Sequence, residues 1–260
     1  MSESFALVTG ASSGIGLEMA RLMAQRGYNL LLISNQQQEL KRLQIDLAKQ
    51  YNSRVEILHL NLADAEAAKQ IFDYCGANNL TVEVLINNAG FFFFGQITDA
   101  DYNNATAMML LHVVTLSQMC TLFGAQMKQR GKGFILNTSS ISAYKSFPGI
   151  GYYGSTKAYI KSFTQSLHAE LKYYGVHVTC LSPGATATNL YDPNVINVEL
   201  GKKTGVMMSA EKVAKAGIDG LFKNKAVVVP GLLTRLMLFF AMLIPQWIVY
   251  QVRIRTKWLK

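Results

Sequence analysis

Tyr153 and Lys157 stand four residues apart, and Ser140 precedes the tyrosine by thirteen. Residues four apart share a helix face, so a phenol and an ammonium become neighbours. A free phenol has a pKa near ~10 and is a poor base at neutral pH, but an adjacent ammonium stabilises its phenolate. Such a pair suits proton exchange with an alcohol or a carbonyl. A hydroxyl from Ser140 would hydrogen-bond the same oxygen, with Ser139 as the runner-up. Tyr152 adjoins Tyr153 but has the wrong spacing from Lys157, so it is expected to line the pocket.

A second chemistry-bearing stretch lies near the N-terminus, where Thr9-Gly10-Ala11-Ser12-Ser13-Gly14-Ile15-Gly16 follows an apolar run and opens an apolar helical pattern. Glycines there permit a tight turn and close approach, so backbone N–H groups and the positive helix end can meet a pyrophosphate. Dinucleotide sites of this kind often carry an acid about 20 residues on, for the ribose diol. Here that stretch is Ser34-Asn35-Gln36-Gln37-Gln38, and the first acid, Glu39, falls inside the next helix. Without a carboxylate to repel it, a 2′-phosphate is tolerated and can be hydrogen-bonded by Ser34 and Asn35. That favours NADP(H). No Arg or Lys stands there to pair with the phosphate, so NAD(H) stays open.

These residues need a scaffold. Strand-length apolar runs recur at Ala6–Thr9, Asn29–Ser34, Val55–Leu60, Val84–Asn87, Gly133–Thr138, His177–Ser182 and Ala226–Val229. Between them lie amphipathic helical patterns such as Ile15–Arg26, Gln37–Tyr51 and Ala65–Cys75. Alternating strand and helix means parallel pairing with right-handed crossovers, and Leu30-Leu31-Leu32-Ile33 is apolar on both faces. The expected fold is a single-domain, doubly wound α/β sheet of about seven strands over residues 1–230, followed by an extension at 231–260.

The 260 residues are half apolar and only 16% charged, which excludes intrinsic disorder. The net charge of +9 is concentrated at one end: Lys223, Lys225, Arg235, Arg253, Arg255, Lys257 and Lys260 follow Asp219 with no acid among them. Cys75, Cys120 and Cys180 are odd in number and widely spaced, which fits a reducing cytoplasm and argues against a disulfide framework. The N-terminus has no charged region followed by a long apolar one, so no secretory signal is expected. His59, His168 and His177 lack ligand-like spacing, and no metal site is expected.

Taken together, Thr9-Gly-x-x-x-Gly14-x-Gly16, Asn87-Asn88-Ala89-Gly90, Ser140, Tyr153-x-x-x-Lys157 and Pro183-Gly184-x-x-x-Thr188 resemble the short-chain dehydrogenase/reductase family across residues 5–230. The resemblance implies a Rossmann-type domain, a nicotinamide cofactor and hydride transfer. It makes Tyr153 the general acid/base, with Lys157 bonding the nicotinamide ribose. It implies cofactor contacts from Gly10, Ser12, Ser13, Gly14, Ile15 and Gly16. Asn61-Leu62 looks like the adenine contact, Asn88, Ala89 and Gly90 line the cofactor, Thr188 faces the carboxamide, and Pro183, Gly184 and Thr186 are further cofactor contacts. It also implies a homo-oligomer, through the helix carrying Tyr159, Phe163 and Leu167 and the long helix before it.

The sequence departs from the family pattern in two places. His112 occupies the position of the helix Asn that supports a water chain to the active-site lysine, so it is either a relay member or a histidine facing the sheet. Ala143 stands where a glycine often follows the serine. Phe91–Phe94 follow the Asn-Asn-Ala-Gly strand end, where they either meet substrate or pack beneath the site. Leu236–Tyr250 is apolar but holds Pro245 and is shorter than the ~20 residues a spanning helix needs. With basic residues on both sides and Trp247, Tyr250 and Trp258 nearby, it fits an anionic membrane interface, or else an apolar flap or oligomer contact.

The expected activity is interconversion of a lipophilic secondary alcohol and ketone of steroid, bile-acid or fatty-acyl type, with Phe91–Phe94, Tyr144, Tyr152 and Met207–Met208 supplying the lipophilic character. A cofactor-binding regulator or peripheral membrane protein on the same fold is the alternative. No nucleic-acid contact is expected.

Overall fold

The computed structural model describes residues 4–188 and 207–256, with side chains as far as Gln251. Seven strands form one parallel sheet: β1 (Ser4–Thr9), β2 (Asn29–Ser34), β3 (Val55–His59), β4 (Thr81–Asn87), β5 (Gly133–Thr138), β6 (Val176–Leu181) and, last in sequence, β9 (Val227–Val228). Their order is β3-β2-β1-β4-β5-β6-β9. The chain first winds outward from β1 through β2 to β3, then crosses back to place β4 on the other side of β1. That reversal opens a crevice at the carboxyl ends of β1 and β4. This is the expected doubly wound sheet, and the strand ends read from sequence differ by no more than about three residues. A separate two-residue pair, β7 (Thr186–Ala187) with β8 (Met208–Ser209), has too few residues to show a period and was not foreseen.

Each face of the sheet is covered by helices. α1 (Gly14–Gln25), α2 (Gln37–Tyr51) and α7 (Ala210–Phe222) lie on one side; α3 (Ala67–Ala77), α5 (Leu116–Arg130) and α6 (Gly151–Leu171) cover the other. Leu30 and Leu32 face the first layer, Leu31 and Ile33 the second, and all four are fully buried. At roughly 1.5–3 kcal/mol per buried aliphatic side chain, these four contribute on the order of 6–12 kcal/mol of apolar stabilisation and tie the two helix layers to one strand. The apolar Tyr102–Arg130 helical stretch has the length and composition of a membrane span, but Met119, Cys120, Phe123 and Met127 pack it onto the sheet.

That stretch is not one regular helix. α4 (Tyr102–Met109) and α5 are joined by a π-turn over Leu110–Thr115, the wider coil that commonly marks functional positions. Asp101 caps its start, its carboxylate accepting from Asn104 N at 2.8 Å, and Gly131 ends it with a left-handed φ of 68°. At the C-terminal end, Leu236–Tyr250 is two helices, α8 (Leu232–Leu243) and α9 (Gln246–Thr256), because Pro245 cannot continue a helix and holds Ile244 extended.

Candidate active site

The cleft at the β1/β4 reversal has a volume of about 500 Å³. Its floor begins at Gly10, whose φ of 64° and N–H bond to Ile33 O at 2.8 Å turn the chain tightly across the sheet end. A Cβ on Gly10 would stand 2.8 Å from Ala89 Cα, so the loop closes on β4 only as glycine. Thr9 secures the other side, its hydroxyl accepting from Asn88 N at 2.9 Å and Ala89 N at 3.1 Å. α1 then starts at Gly14 with Ser13 as its cap residue, and the Ser13 side chain makes no capping bond. The first-turn N–H groups therefore face the cleft with the positive end of the helix, the arrangement that takes a pyrophosphate.

Gly10, Ser12, Ser13, Gly14 and Ile15 line this wall, as do Ser34, Asn35, Asn61, Leu62, Asn88, Ala89 and Gly90. Pro183, Gly184, Thr186 and Thr188 close the far side. Gly16 differs from the expectation of cofactor contact. It is buried behind the wall, where a Cβ would lie 2.2 Å from Gly10 O, and its part is to let α1 approach the loop.

A ring of hydroxyl and amide groups marks the end of β2. Ser12 Oγ donates to Gln36 Oε1 at 2.7 Å, so the 2.8 Å contact between Ser12 Oγ and Ser34 Oγ runs from Ser34 as donor. Gln36 N in turn donates to Ser34 Oγ at 3.2 Å. Gln36 also lines the cleft. A glutamine carries no charge to signal an anion or a diol, so its place here is not legible in the sequence.

Ser140, Tyr153 and Lys157 meet at the other end of the same cleft. Lys157 is fully buried and its ammonium donates to Thr138 O at 3.0 Å. It lies 5.5 Å from the centre of the Tyr153 ring. Burial lowers its pKa from 10.5 to about 8, so it is still mainly charged at neutral pH. Ser139 is eliminated as the substrate hydroxyl, since its Oγ donates to Lys157 O at 2.7 Å and so fastens α6 to the end of β5. Ser140 Oγ accepts from Ser142 N at 3.1 Å, and its own proton is available to a substrate oxygen. Below the site, Asn87 Nδ2 donates to Asn137 Oδ1 at 2.9 Å and Asn137 Nδ2 to Thr164 Oγ1 at 3.0 Å, tying β4, β5 and α6 together.

His112 does not line the cleft. The π-turn turns it inward behind Gly90, where it is buried, with its ring 6.0 Å from that of Tyr153. Thr156 Oγ1 donates to Tyr153 O at 2.9 Å, so at 3.0 Å from His112 Nδ1 it can only accept. This makes Nδ1 the protonated nitrogen and Nε2 an acceptor. Burial, then the Lys157 charge, lower the His112 pKa well below its ordinary value and keep the ring neutral. A Cβ on Gly90 would sit 2.8 Å from His112 Nε2 and 3.6 Å from Lys157 Nζ, so both nitrogens face the space over that glycine.

Phe91 and Phe92 line the cleft, Phe92 meeting Tyr153 edge-on at 5.0 Å. Tyr152 departs from expectation: it packs on Phe93 at 6.1 Å and lies outside the cleft walls. Met207 is buried and Met208 packs toward Gly231, so neither shapes the cleft. Tyr144 belongs to a neighbouring cavity of about 380 Å³ that reaches Gln246 of α9.

Comparison with known proteins agrees with this geometry. The family described as short chain dehydrogenase matches residues 4–199. The very-long-chain 3-oxoacyl-CoA reductase of Rattus norvegicus is 31% identical over 219 residues, covering 82% of this chain and 67% of its own length. A short-chain dehydrogenase from Sphingobium yanoikuyae, solved with NADPH, is 26% identical with a TM-score of 0.81 over 92% of each chain. A 7β-hydroxysteroid dehydrogenase, 21% identical, shares the fold at a TM-score of 0.87 over 95% of each chain. With the glycine loop, the Asn88–Gly90 wall and the Ser140-Tyr153-Lys157 group in one cleft, the chain belongs to the short-chain dehydrogenase/reductase family and is an NAD(P)-dependent oxidoreductase.

Proposed function

We propose that the protein reduces a lipophilic ketone, of fatty-acyl or steroid type, to a secondary alcohol with NADP(H). The observation that carries this reading is the juxtaposition of Ser140, Tyr153 and buried Lys157 with the Phe91–Phe92 wall in one cleft. A nicotinamide bound there supplies a hydride to the carbonyl carbon. Ser140 donates a hydrogen bond to the carbonyl oxygen and orients it. Tyr153 gives its phenolic proton to that oxygen as negative charge develops, and the Lys157 ammonium stabilises the phenolate left behind. One hydride and one proton complete the alcohol.

His112 enters behind this pair. Its neutral Nε2 is buried without a hydrogen-bond partner and faces the space it shares with Lys157, so a water held there would bridge the two and keep the lysine oriented. The Phe91–Phe92 wall and the rat reductase named above favour 3-oxoacyl substrates, with steroid ketones as the other arm of the test. The Ser12-Ser34-Gln36 ring is uncharged and holds no carboxylate to repel a 2′-phosphate, which supports NADP(H). Assembly through α5 and α6, read from the resemblance, gives a solution mass at least twice the chain's 28.8 kDa by light scattering. The functional test is loss of NADPH or NADH absorbance with long-chain 3-oxoacyl thioesters, steroid ketones and short polar ketones. Turnover of a lipophilic ketone with at least ~10-fold preference for NADPH is expected. Preference for NADH, or for polar ketones, overturns the corresponding part.

A further inference from the structure

We propose that helices α8 and α9 seat the protein on an anionic lipid surface. α8 presents Leu232, Leu233, Leu236, Met237, Phe239, Phe240, Met242 and Leu243 to solvent, and α9 adds Trp247 and Tyr250. Phe240, Leu243 and Trp247 are each more than 60% exposed. At 100° per residue, the exposed apolar positions of α8 span about 220° of its circumference, roughly twice the stripe of about 100° that a helix needs against one protein layer. The remaining side is already occupied: Thr234 is buried against Gly184. A lipid phase wraps such a helix, whereas one flat protein partner leaves much of the arc in water.

Length and charge specify the mode. Twelve residues rise about 18 Å, too short to cross a hydrocarbon core of about 30 Å, so α8 lies in the interface. Seven basic residues and no acid follow Asp219, matching the negative potential of an anionic leaflet. Trp247 and Tyr250 at the α9 start are the residue types that favour the headgroup level.

The surface adjoins the cleft, because Thr234 of α8 packs on Gly184, which lines it. Lys145 Nζ donates to Ile244 O, Gln246 Nε2 donates to Ser146 O at 3.0 Å, and Gln246 forms part of the cavity beside Tyr144. Seating α8 in lipid therefore brings the Gly184 side of the cleft close to the phase in which a lipophilic ketone is dissolved. The docking itself does not depend on the substrate assignment, because vesicle binding is read without turnover.

The chain has two tryptophans, Trp247 and Trp258, both in this extension, so tryptophan emission excited beyond the tyrosine band reports on it alone. Full-length protein is mixed with phosphatidylcholine vesicles, with or without phosphatidylglycerol, at about 0.01 M and 1 M salt, where the Debye length is about 30 Å and 3 Å. A blue shift and co-sedimentation with anionic vesicles at low salt are expected, reduced at least tenfold in neutral vesicles or at high salt. Phe239→Glu with Phe240→Glu should cut binding at least tenfold while turnover of a water-soluble ketone and the solution mass stay unchanged. Protein left in the supernatant with anionic vesicles at low salt overturns the proposal, as does a double variant that binds like the wild type. If the double variant instead halves the solution mass, a second copy covers this face and the lipid assignment is wrong. Equal binding to neutral vesicles refutes the anionic assignment.

Discussion

Replacing Lys157 by Met in a Tyr153→Phe background isolates the cost of holding an ammonium inside this fold. Lys157 is buried and has its pKa lowered from 10.5 to about 8, chiefly by desolvation. At ~1.36 kcal/mol per tenfold change in proton affinity, the charged form costs on the order of 3 kcal/mol relative to the unfolded chain. The folded pKa lies below the unfolded one, so the unfolded chain binds more protons between pH 8 and 10.5 and stability rises with pH across that window. The penalty is fully present below about pH 8 and is relieved as pH approaches 10.5. Methionine removes it at every pH, but leaves Thr138 O without the lysine's hydrogen bond, a loss of about 1–3 kcal/mol that does not vary with pH. The difference in unfolding free energy between Tyr153→Phe and Tyr153→Phe/Lys157→Met should therefore change by roughly 2–3 kcal/mol from pH 7 to pH 10, the lysine protein gaining. Urea unfolding of both proteins at several pH values measures it, and the shared background cancels the other titrating groups. Parallel curves would mean that the lysine is hydrated in solution and that its lowered pKa is not real.

Three further substitutions test separate parts of the cleft. Ser34→Asp places a carboxylate beside the ribose position and breaks the Ser12 ring, so kcat/KM should move toward NADH by at least ~10-fold; an unchanged ratio places the 2′ position elsewhere. Gly16→Ala drives a methyl to 2.2 Å from Gly10 O, and should weaken cofactor binding at least ~10-fold in a fluorescence titration with the fold retained by circular dichroism; unaltered affinity would show that α1 can retreat freely. His112→Phe removes the Nε2 acceptor and should lower kcat more than KM and displace the upper limb of the pH–rate profile, with His112→Asn partly restoring both. A uniform loss without a pH change would reduce His112 to packing.

The order of strands and helices was legible because apolar runs of strand length alternate with helical periods, and Leu30–Ile33 needs protein on both faces. The glycine loop and the Tyr-Lys spacing were legible because both are local. What the sequence hid depends on contacts between distant segments. Ser139 and Ser140 are indistinguishable in sequence, and only the packing of α6 on β5 directs one hydroxyl to Lys157 O. His112 was placed at the site by resemblance alone, while its inward direction comes from the π-turn, which has no periodic signature. Gln36 joins Ser12 only because β1 and β2 pair side by side. Pro245 and an apolar face at Leu236–Tyr250 were visible, but how far round α8 the exposure runs was not.

The most direct test of the central claim compares Tyr153→Phe with Tyr152→Phe. Both variants are assayed for NADPH-dependent reduction of the best lipophilic ketone, with NADPH binding followed separately by fluorescence. Loss of a general acid typically costs 10²–10⁴-fold, so kcat should fall by at least ~100-fold in Tyr153→Phe with NADPH affinity retained. Tyr152→Phe, altered only where it packs on Phe93, should stay within about threefold of wild type. A Tyr153→Phe protein that turns over normally, or a Tyr152→Phe protein that is inactive, would contradict the assignment of the proton to Tyr153.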